Sequence, residues 1–276
     1  IIIFNMMKLY TVATHNYGYY EALQFSAQKN KFKLINLAYN KKWKGLMWKF
    51  KLLLNKIENV DDNEIIAFCD GFDVIVVNSA HLLKTLFLKL DCDIIFGKEN
   101  SNHNSFIHYL SRICFKNYHL LERNNIPNSG VYVGYAGKIK KFLKLCLKFI
   151  STENDDQDIT YFIYYNRKKY DLNIKLFDEY LYTIPFNKDV SYVFSFNESR
   201  IKKITCDLNK VFFIHSNGNR NMDIYCKELN YPLKLKGGSK SNHSHIMHYS
   251  KMLYRNNQKK IYLLVFFSFF LLFYYK

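Results

Sequence analysis

The stretch Ile65–Val77, IIAFCDGFDVIVV, indicates both the fold class and a first candidate site. A short apolar run ends in Asp70, continues through Gly71-Phe72 and reaches Asp73 before a second apolar run. Runs of Ile, Val and Phe this short, bounded by turn signals, are typical of buried strands rather than helices. Two carboxylates at the carboxyl end of a strand, where open α/β sheets bind their ligands, can share a divalent cation. Asp and Gly also mark ordinary turns, so this segment alone leaves a metal site and a simple turn as alternatives.

The composition is that of a globular chain with a basic excess. Of its 276 residues 49% are hydrophobic and 18% aromatic, which is ample for one large domain or a domain with appendages. The net charge of +17 suggests an anionic partner, but the excess is mostly scattered lysine. No nucleic-acid-binding motif accompanies it, so no nucleic-acid partner is expected. The six cysteines are widely spaced without a C-x-x-C pair, which argues against a zinc site built from them.

The carboxyl-terminal part of the chain differs from the rest. The segment Ile261–Tyr275 is uncharged and apolar and follows the basic run Arg255–Lys260. It is shorter than the roughly 20 residues that a membrane-spanning helix needs. Membrane attachment, as a short tail anchor or an interfacial segment, is favoured over an out-of-frame end. The location is left open between a membrane, the secretory pathway and the cytoplasm. We therefore expect an α/β domain at 1–232, a polar basic linker at 233–260 and a hydrophobic tail at 261–276.

Strands and helices alternate along residues 8–232, which predicts a mostly parallel α/β sheet flanked by helices. The apolar residues from Leu46 to Ile57 recur at helical spacing. This pattern predicts an amphipathic helix with its lysines on the solvent face. Pro127–Gly130 is interpreted as a turn that opens a strand. The other predicted strands are Lys8–Ala13, Phe32–Leu37, Asp93–Gly97, Val131–Tyr135, Leu172–Phe177, Tyr192–Phe196 and Val211–Ile214, and the other predicted helices are Tyr19–Lys29, Ala80–Leu90 and Ile139–Ile150.

Three polar clusters adjoin the ends of predicted elements and are expected to converge on one edge of the sheet. They are Asp70-x-x-Asp73, the acidic run Asn154–Asp158, and His215-x-Asn217-Gly218. Two carboxylates and one imidazole form a mixed oxygen and nitrogen site that suits Mn²⁺ better than a thiol-preferring metal. Each cluster also has a simpler interpretation, because a lone histidine often bonds within a turn and carboxylates favour helix N-termini.

Seven short segments, taken in order, resemble one known family. The chain resembles the glycosyltransferase domain of the procollagen lysyl hydroxylases and the related free-standing viral collagen glucosyltransferases. The resemblance covers about residues 8–232. The matching segments are TVAT (Thr11–Thr14), the Trp43-Lys44-Gly45 turn, FCDGFDVIVV (Phe68–Val77), FGKEN (Phe96–Asn100), NSGVYVGYA (Asn128–Ala136), DDQ (Asp155–Gln157) and HSNGN (His215–Asn219).

The resemblance implies a GT-A type nucleotide-sugar-binding fold and a role for each matching position. Asp70 and Asp73 match the family's D-x-x-D metal pair, and His215 matches its third metal ligand. On the donor side, Val12 and Thr14 match residues at the uridine, and Trp43 lies in the donor-site loop. Phe72, where the family usually has tyrosine, matches the residue against the base. Asn217 and Gly218 match residues over the diphosphate. On the sugar and acceptor side, the residues that match catalytic positions are Asn128, Asp155 and Asp156.

Two departures from the family pattern concern the phosphate-binding loop. Ser216 stands where the family usually has a glycine after the histidine. Asn221 stands where it has a lysine that reaches the phosphates. Arg220, one position earlier, is expected to supply the positive charge instead.

The resemblance implies a Mn²⁺-dependent transfer of a hexose from a UDP-sugar to a hydroxyl acceptor, with retention of anomeric configuration. The expected donor is UDP-glucose, and the expected acceptor is galactosyl-hydroxylysine of a collagen-like protein. Two alternatives stay open: a catalytically inactive transferase-like binding module, and a transferase acting on a non-collagen glycan. No iron- and 2-oxoglutarate-dependent domain follows His215, so hydroxylation is not expected.

Overall fold

The structure is a computed structural model that describes residues 6–99, 101–102, 125–149, 156–187, 203–217 and 221–235. Almost all of these belong to one compact unit, formed by residues 1–101, 122–186 and 199–237. The predicted strand Tyr192–Phe196, most of the linker and the hydrophobic tail lie outside the described residues. The predicted domain boundaries therefore stay predictions. Within the described ranges, no helix is both long and apolar enough to cross a membrane.

The described elements follow the predicted alternation closely. In chain order the strands are β1 (Met7–Val12), β2 (Phe32–Asn36), β3 (Ile65–Asp70), β4 (Val74–Val76), β5 (Ile94–Lys98), β6 (Ser101–Asn102), β7 (Pro127–Tyr135), β8 (Ile174–Leu176), β9 (Leu181–Thr183), β10 (Phe186–Asn187) and β11 (Phe213–His215). The helices are α1 (Tyr20–Lys29), α2 (Trp48–Ile57), α3 (Ala80–Lys89), α4 (Ala136–Lys148), α5 (Asp156–Tyr165) and α6 (Asp223–Glu228).

Six strands form the central sheet in the order β2-β1-β3-β7-β5-β8. β1 runs parallel to β2 and β3, and β5 runs parallel to β8. β7 lies between β3 and β5 and runs antiparallel to both. The mostly parallel α/β sheet predicted from the sequence is therefore confirmed. Because β7 runs against its neighbours, its first residues lie beside the carboxyl ends of β3 and β5.

The interpretation of Pro127–Gly130 as a turn is wrong, because these residues begin β7. Pro127 pairs with Lys98 and Asn128 with Gly97, after a register shift next to Phe96. Proline is tolerated at the first residue of a strand, where its missing N–H breaks little of the ladder. The turn-like composition therefore marks a strand start.

A second sheet brings the end of β11 to the same region. β11 pairs antiparallel with β4 and parallel with β9. Its last residue, His215, lies opposite Val74. The Ser216 N–H then donates to the Asp73 carbonyl at 2.8 Å. This pairing fixes His215 next to the Asp70–Asp73 turn.

The helices cover both faces of the central sheet. Apolar side chains of α1 and α3, such as Leu23 and Phe87, pack on one face. Those of α2, α4 and α5 pack on the other, where Phe142 lies 5.3 Å from Phe96 and 6.1 Å from Phe50, centroid to centroid. Burying a large apolar side chain contributes about 1.5–3 kcal/mol.

The predicted pattern around α2 is wrong at two positions. Phe50, Leu53 and Ile57 are buried as predicted. Lys49 is buried with them, at 3% exposure, although the prediction placed every lysine of this helix in solvent. Lys49 lies four residues before Leu53 and so shares its helix face. Leu46, predicted on the apolar face, precedes the helix and is 42% exposed.

Phe142→Ala should lower the free energy of unfolding by about 3–5 kcal/mol, because it removes a ring from the centre of the packed face. Denaturant unfolding followed by circular dichroism measures this loss. Phe162→Ala is the control, because Phe162 is 41% exposed on α5. Equal losses in the two variants would contradict the placement of the core.

Candidate metal centre and its surroundings

The carboxyl edge of the sheet brings together the three residues that the sequence predicts as metal ligands. Asp70 ends β3, Asp73 precedes β4, and His215 ends β11. One ligand atom from each of the three lies within 4.8 Å of the others. His215 Nε2 lies 3.5 Å from Asp73 Oδ1. The side chains are therefore close enough to share one cation.

Asn128 holds the His215 ring in place. Its Oδ1 lies 2.9 Å from His215 Nδ1 and also accepts the Gly130 N–H at 2.9 Å. Its Nδ2 donates to Glu99 Oε2 at 2.8 Å. Because Oδ1 can only accept, the proton lies on Nδ1 of His215. The other ring nitrogen, Nε2, is buried and forms no hydrogen bond with any part of the chain that the structure describes.

Gly130 lines the space between His215 and Asp70. A Cβ atom at this position would lie 2.8 Å from His215 Nδ1 and 2.9 Å from Asp70 Oδ2. No side chain fits there without displacing one of the two groups. The glycine that the sequence predicts as part of a turn therefore keeps the imidazole and the carboxylate close together.

The two aspartates and the histidine influence one another electrostatically. Burial by itself would lower the pKa of His215, but the carboxylates of Asp73, Asp70 and Glu99 together outweigh it and raise that pKa above its ordinary value. Burial raises the pKa of Asp70; Lys49 opposes this effect, and the neighbouring Asp73 adds to it. Bringing two carboxylates together therefore costs energy in the absence of a cation.

Lys49 links Asp70 to Asp156, which begins α5. Its Nζ lies 2.9 Å from Asp70 Oδ1 and 2.6 Å from Asp156 Oδ2. The Ser129 hydroxyl donates to the same Asp156 oxygen at 2.6 Å. Burial would raise the pKa of Asp156, but Lys49 and Ser129 together lower it. Asp156 is therefore a buried carboxylate that stays ionised at neutral pH.

Sequence reasoning missed both Lys49 and Glu99. The helical spacing of Lys49 to Leu53 indicates that Lys49 lies on the buried face of the helix. Its residue type indicates the opposite, because a lysine is expected in solvent. Glu99 directly follows β5 at the same edge as Asp70. Its Oε2 accepts from Asn128 Nδ2 at 2.8 Å and from Asn217 Nδ2 at 2.9 Å. Glu99 thereby joins the loop after His215 to β7.

The predicted donor-side residues lie in two neighbouring segments. Val12 ends β1 opposite Asp70, and the Thr14 hydroxyl lies 2.8 Å from His15 Nδ1. The Phe72 ring lies 5.5 Å from those of His15 and Tyr17, centroid to centroid. Their predicted contacts with a uridine stay predictions.

Trp43 and the residues after His215 complete the predicted set. Trp43 is 44% exposed and lies 5.9 Å from the Trp48 ring. Asn221 Oδ1 accepts the Asp223 N–H at 2.9 Å, so this side chain supports the start of α6. Asp155, Gly218 and Arg220 lie outside the described residues.

Comparison with known proteins identifies one family. The family model of the PLOD GT domain, the glycosyltransferase domain of the procollagen lysyl hydroxylases, matches residues 4–232. A197 from STIV is a similar solved structure, with 12% identity over 62% of this chain and 82% of that chain and a TM-score of 0.38. Another is a glycosyltransferase involved in the glycosylation of the major capsid of PBCV-1, with 12% identity over 78% of this chain and 96% of that chain and a TM-score of 0.45. No curated protein matches the chain.

Asn128→Ala should weaken Mn²⁺ binding by about 10–100-fold, the usual cost of losing a group that orients a metal-ligating histidine. Isothermal titration calorimetry with Mn²⁺ measures the change. Asn209→Ala is the control, because Asn209 is exposed and lies outside the site. If both variants bound Mn²⁺ like the wild type, Asn128 would not be the group that positions His215.

Proposed function

Because this chain belongs to the PLOD glycosyltransferase-domain family, we propose that it transfers a hexose from a UDP-sugar to a hydroxyl acceptor with the help of Mn²⁺. The observation that carries this proposal is the cluster of Asp70, Asp73 and His215 within 4.8 Å at the carboxyl edge of the sheet. Family membership makes the chain a glycosyltransferase. The ion, the donor and the acceptor are the parts that we propose.

The residues at the site fit a divalent cation of the manganese type. Two carboxylates and one imidazole are the donor set that Mn²⁺ accepts. His215 Nε2 is buried and has no hydrogen bond to any described residue, which leaves its lone pair for a metal. Gly130 keeps the space beside Asp70 and His215 free of a side chain. When bound, the ion would neutralise the diphosphate as it leaves the anomeric carbon.

The chain's own residues have separate proposed tasks around the donor. Val12 and Thr14 bind the uridine, and Phe72 stacks on its base. Trp43 closes the donor-site loop. Asn217 and Gly218 contact the diphosphate, and Arg220 supplies the positive charge that the family lysine provides.

Asp156 is proposed to act on the sugar and acceptor side. It is buried, and its pKa is lowered, so it offers a fixed negative charge rather than a proton. Such a charge orients an acceptor hydroxyl or stabilises an oxocarbenium-like centre, and Asp155 is proposed to share this task. Asn128 contacts His215 and Glu99, so we now assign it to positioning the histidine.

We propose UDP-glucose as the donor and galactosyl-hydroxylysine of a collagen-like protein as the acceptor. Both assignments rest on the family to which the chain belongs. A transferase acting on another glycan is the alternative, because a shared fold does not fix the acceptor. A screen of UDP-sugars with galactosyl-hydroxylysine peptides and simple glycans decides between them by the transferred product.

A binding module without transferase activity is the second candidate function. Asn221 favours it, because this residue replaces the family lysine and its side chain supports α6. The Asp70, Asp73 and His215 cluster favours the enzyme, because all three predicted metal ligands are present and lie close together. The binding module would be established by two results together: the chain binds UDP in a Mn²⁺-dependent manner, and it releases no UDP from any UDP-sugar.

Asp73→Asn should reduce Mn²⁺-dependent UDP release from UDP-glucose at least about 100-fold, because it removes a charged ligand of the cation. UDP release with Mn²⁺, compared with the same assay in a chelator, measures the effect. Asp207→Asn, at an exposed position, is the control and should match the wild type. Activity of Asp73→Asn within about threefold of the wild type would reject the site.

A further inference from the structure

Among the described residues, Lys49 is a buried charged residue that the proposed reaction leaves without a role. We infer that Lys49 is a positioning residue, which fixes the distance and orientation between the metal-binding Asp70 and the acceptor-side Asp156. The inference rests on the proposed function, because it assigns Lys49 a task in that reaction. It needs no contact between Lys49 and the substrate.

The geometry shows one ammonium group shared by two parts of the site. Lys49 Nζ lies 2.9 Å from Asp70 Oδ1 and 2.6 Å from Asp156 Oδ2, and it lies 3.5 Å from the Ser129 carbonyl oxygen. Asp70 comes from β3, Asp156 from the start of α5, and Lys49 from the first turn of α2. Three separate elements therefore meet at one nitrogen atom.

The contact with Lys49 also distinguishes the two oxygens of Asp70. Oδ1 accepts the hydrogen bond from Lys49. Oδ2 lies on the side of Gly130, 2.9 Å from where a Cβ of that residue would stand. The imidazole of His215 borders the same space. Lys49 therefore turns Oδ2, rather than Oδ1, toward the histidine of the metal cluster.

The surroundings of Lys49 make these contacts strong. The residue is 3% exposed, and the rings of Phe50 and Phe68 each lie 5.8 Å from Nζ. Charge pairs that are removed from water are screened little. Removing one partner of such a pair leaves the other charge uncompensated, which is more harmful than the loss of the pair itself. A neutral residue at position 49 would therefore let Asp156 move or take up a proton.

The test compares Lys49→Met, which keeps the unbranched stem, with Lys49→Arg, which keeps the charge. Lys51→Met is the matched control, because Lys51 is an exposed lysine of the same helix. We measure kcat and KM for UDP-glucose with Mn²⁺, the affinity for UDP with Mn²⁺ by calorimetry, and the melting temperature. Lys49→Met should lose about 100-fold or more in kcat but no more than about tenfold in affinity for UDP with Mn²⁺, because Asp70 loses one orienting contact while Asp70, Asp73 and His215 all remain.

The charge-retaining and control variants separate positioning from simple stability. Lys49→Arg should have a kcat at least about tenfold higher than that of Lys49→Met. Lys51→Met should match the wild type. If Lys49→Met kept kcat within about threefold while Asp73→Asn was inactive, the inference would be overturned and the proposed function would stand. A loss of UDP and Mn²⁺ affinity as large as the loss of kcat would also overturn it. A wild type without UDP release would reject the proposed function itself.

A second variant covers the case in which Lys49→Met does not fold. Lys49→Met with Asp156→Asn removes both members of the shorter ion pair, and Mn²⁺ in the buffer compensates Asp70, the other partner of Lys49. This double variant should melt within a few degrees of the wild type, bind UDP with Mn²⁺ and have no measurable kcat. A double variant that stays unfolded would contradict the account, because the cause of unfolding would then be lost packing around position 49 rather than an unpaired charge.

Discussion

The antiparallel pairing of β7 between β3 and β5 is the constraint on which the rest of the site depends. It reverses one strand in an otherwise parallel sheet. Only this reversal brings the first residues of β7, Asn128 to Gly130, to the edge where Asp70 ends β3. The missing side chain of Gly130 then lets the imidazole and the carboxylate approach each other. The topology thus sets the positions, and one glycine allows the close contact.

Electrostatic balance is the second requirement of this edge. The described residues place three carboxylates close together, of which Asp156 is buried and Asp70 and Asp73 are partly buried. Lys49 contacts two of them but carries only one positive charge, so a net negative charge remains beside His215. This arrangement favours a divalent cation next to the Asp70–Asp73 pair. It also explains why the site contains a buried lysine, a residue that is almost never fully buried unless paired.

Much of this arrangement was predictable from the sequence. Asp70, Asp73 and His215 were predicted because each adjoins a short apolar strand, and the ends of parallel strands meet at one edge. The residue type of Lys49 predicts a place on the solvent face, although its spacing to Leu53 puts it on the buried face. The composition of Pro127–Gly130 indicates a turn, because local composition does not reveal which distant strands a segment joins. Glu99, like Asp70, lies at the carboxyl end of a strand. Its two hydrogen-bond partners come from remote parts of the chain.

The central claim is that Asp70, Asp73 and His215 together hold the cation that carries the donor's diphosphate. Anomalous diffraction at the manganese edge, from crystals grown with Mn²⁺ and UDP, tests it most directly. The account predicts one strong peak at about 2.0–2.6 Å from one carboxylate oxygen of each aspartate and from His215 Nε2, the distances usual for divalent cations. It also predicts that the diphosphate oxygens of UDP contact the same ion. A UDP complex in which the manganese peak lies away from these three side chains would contradict the account.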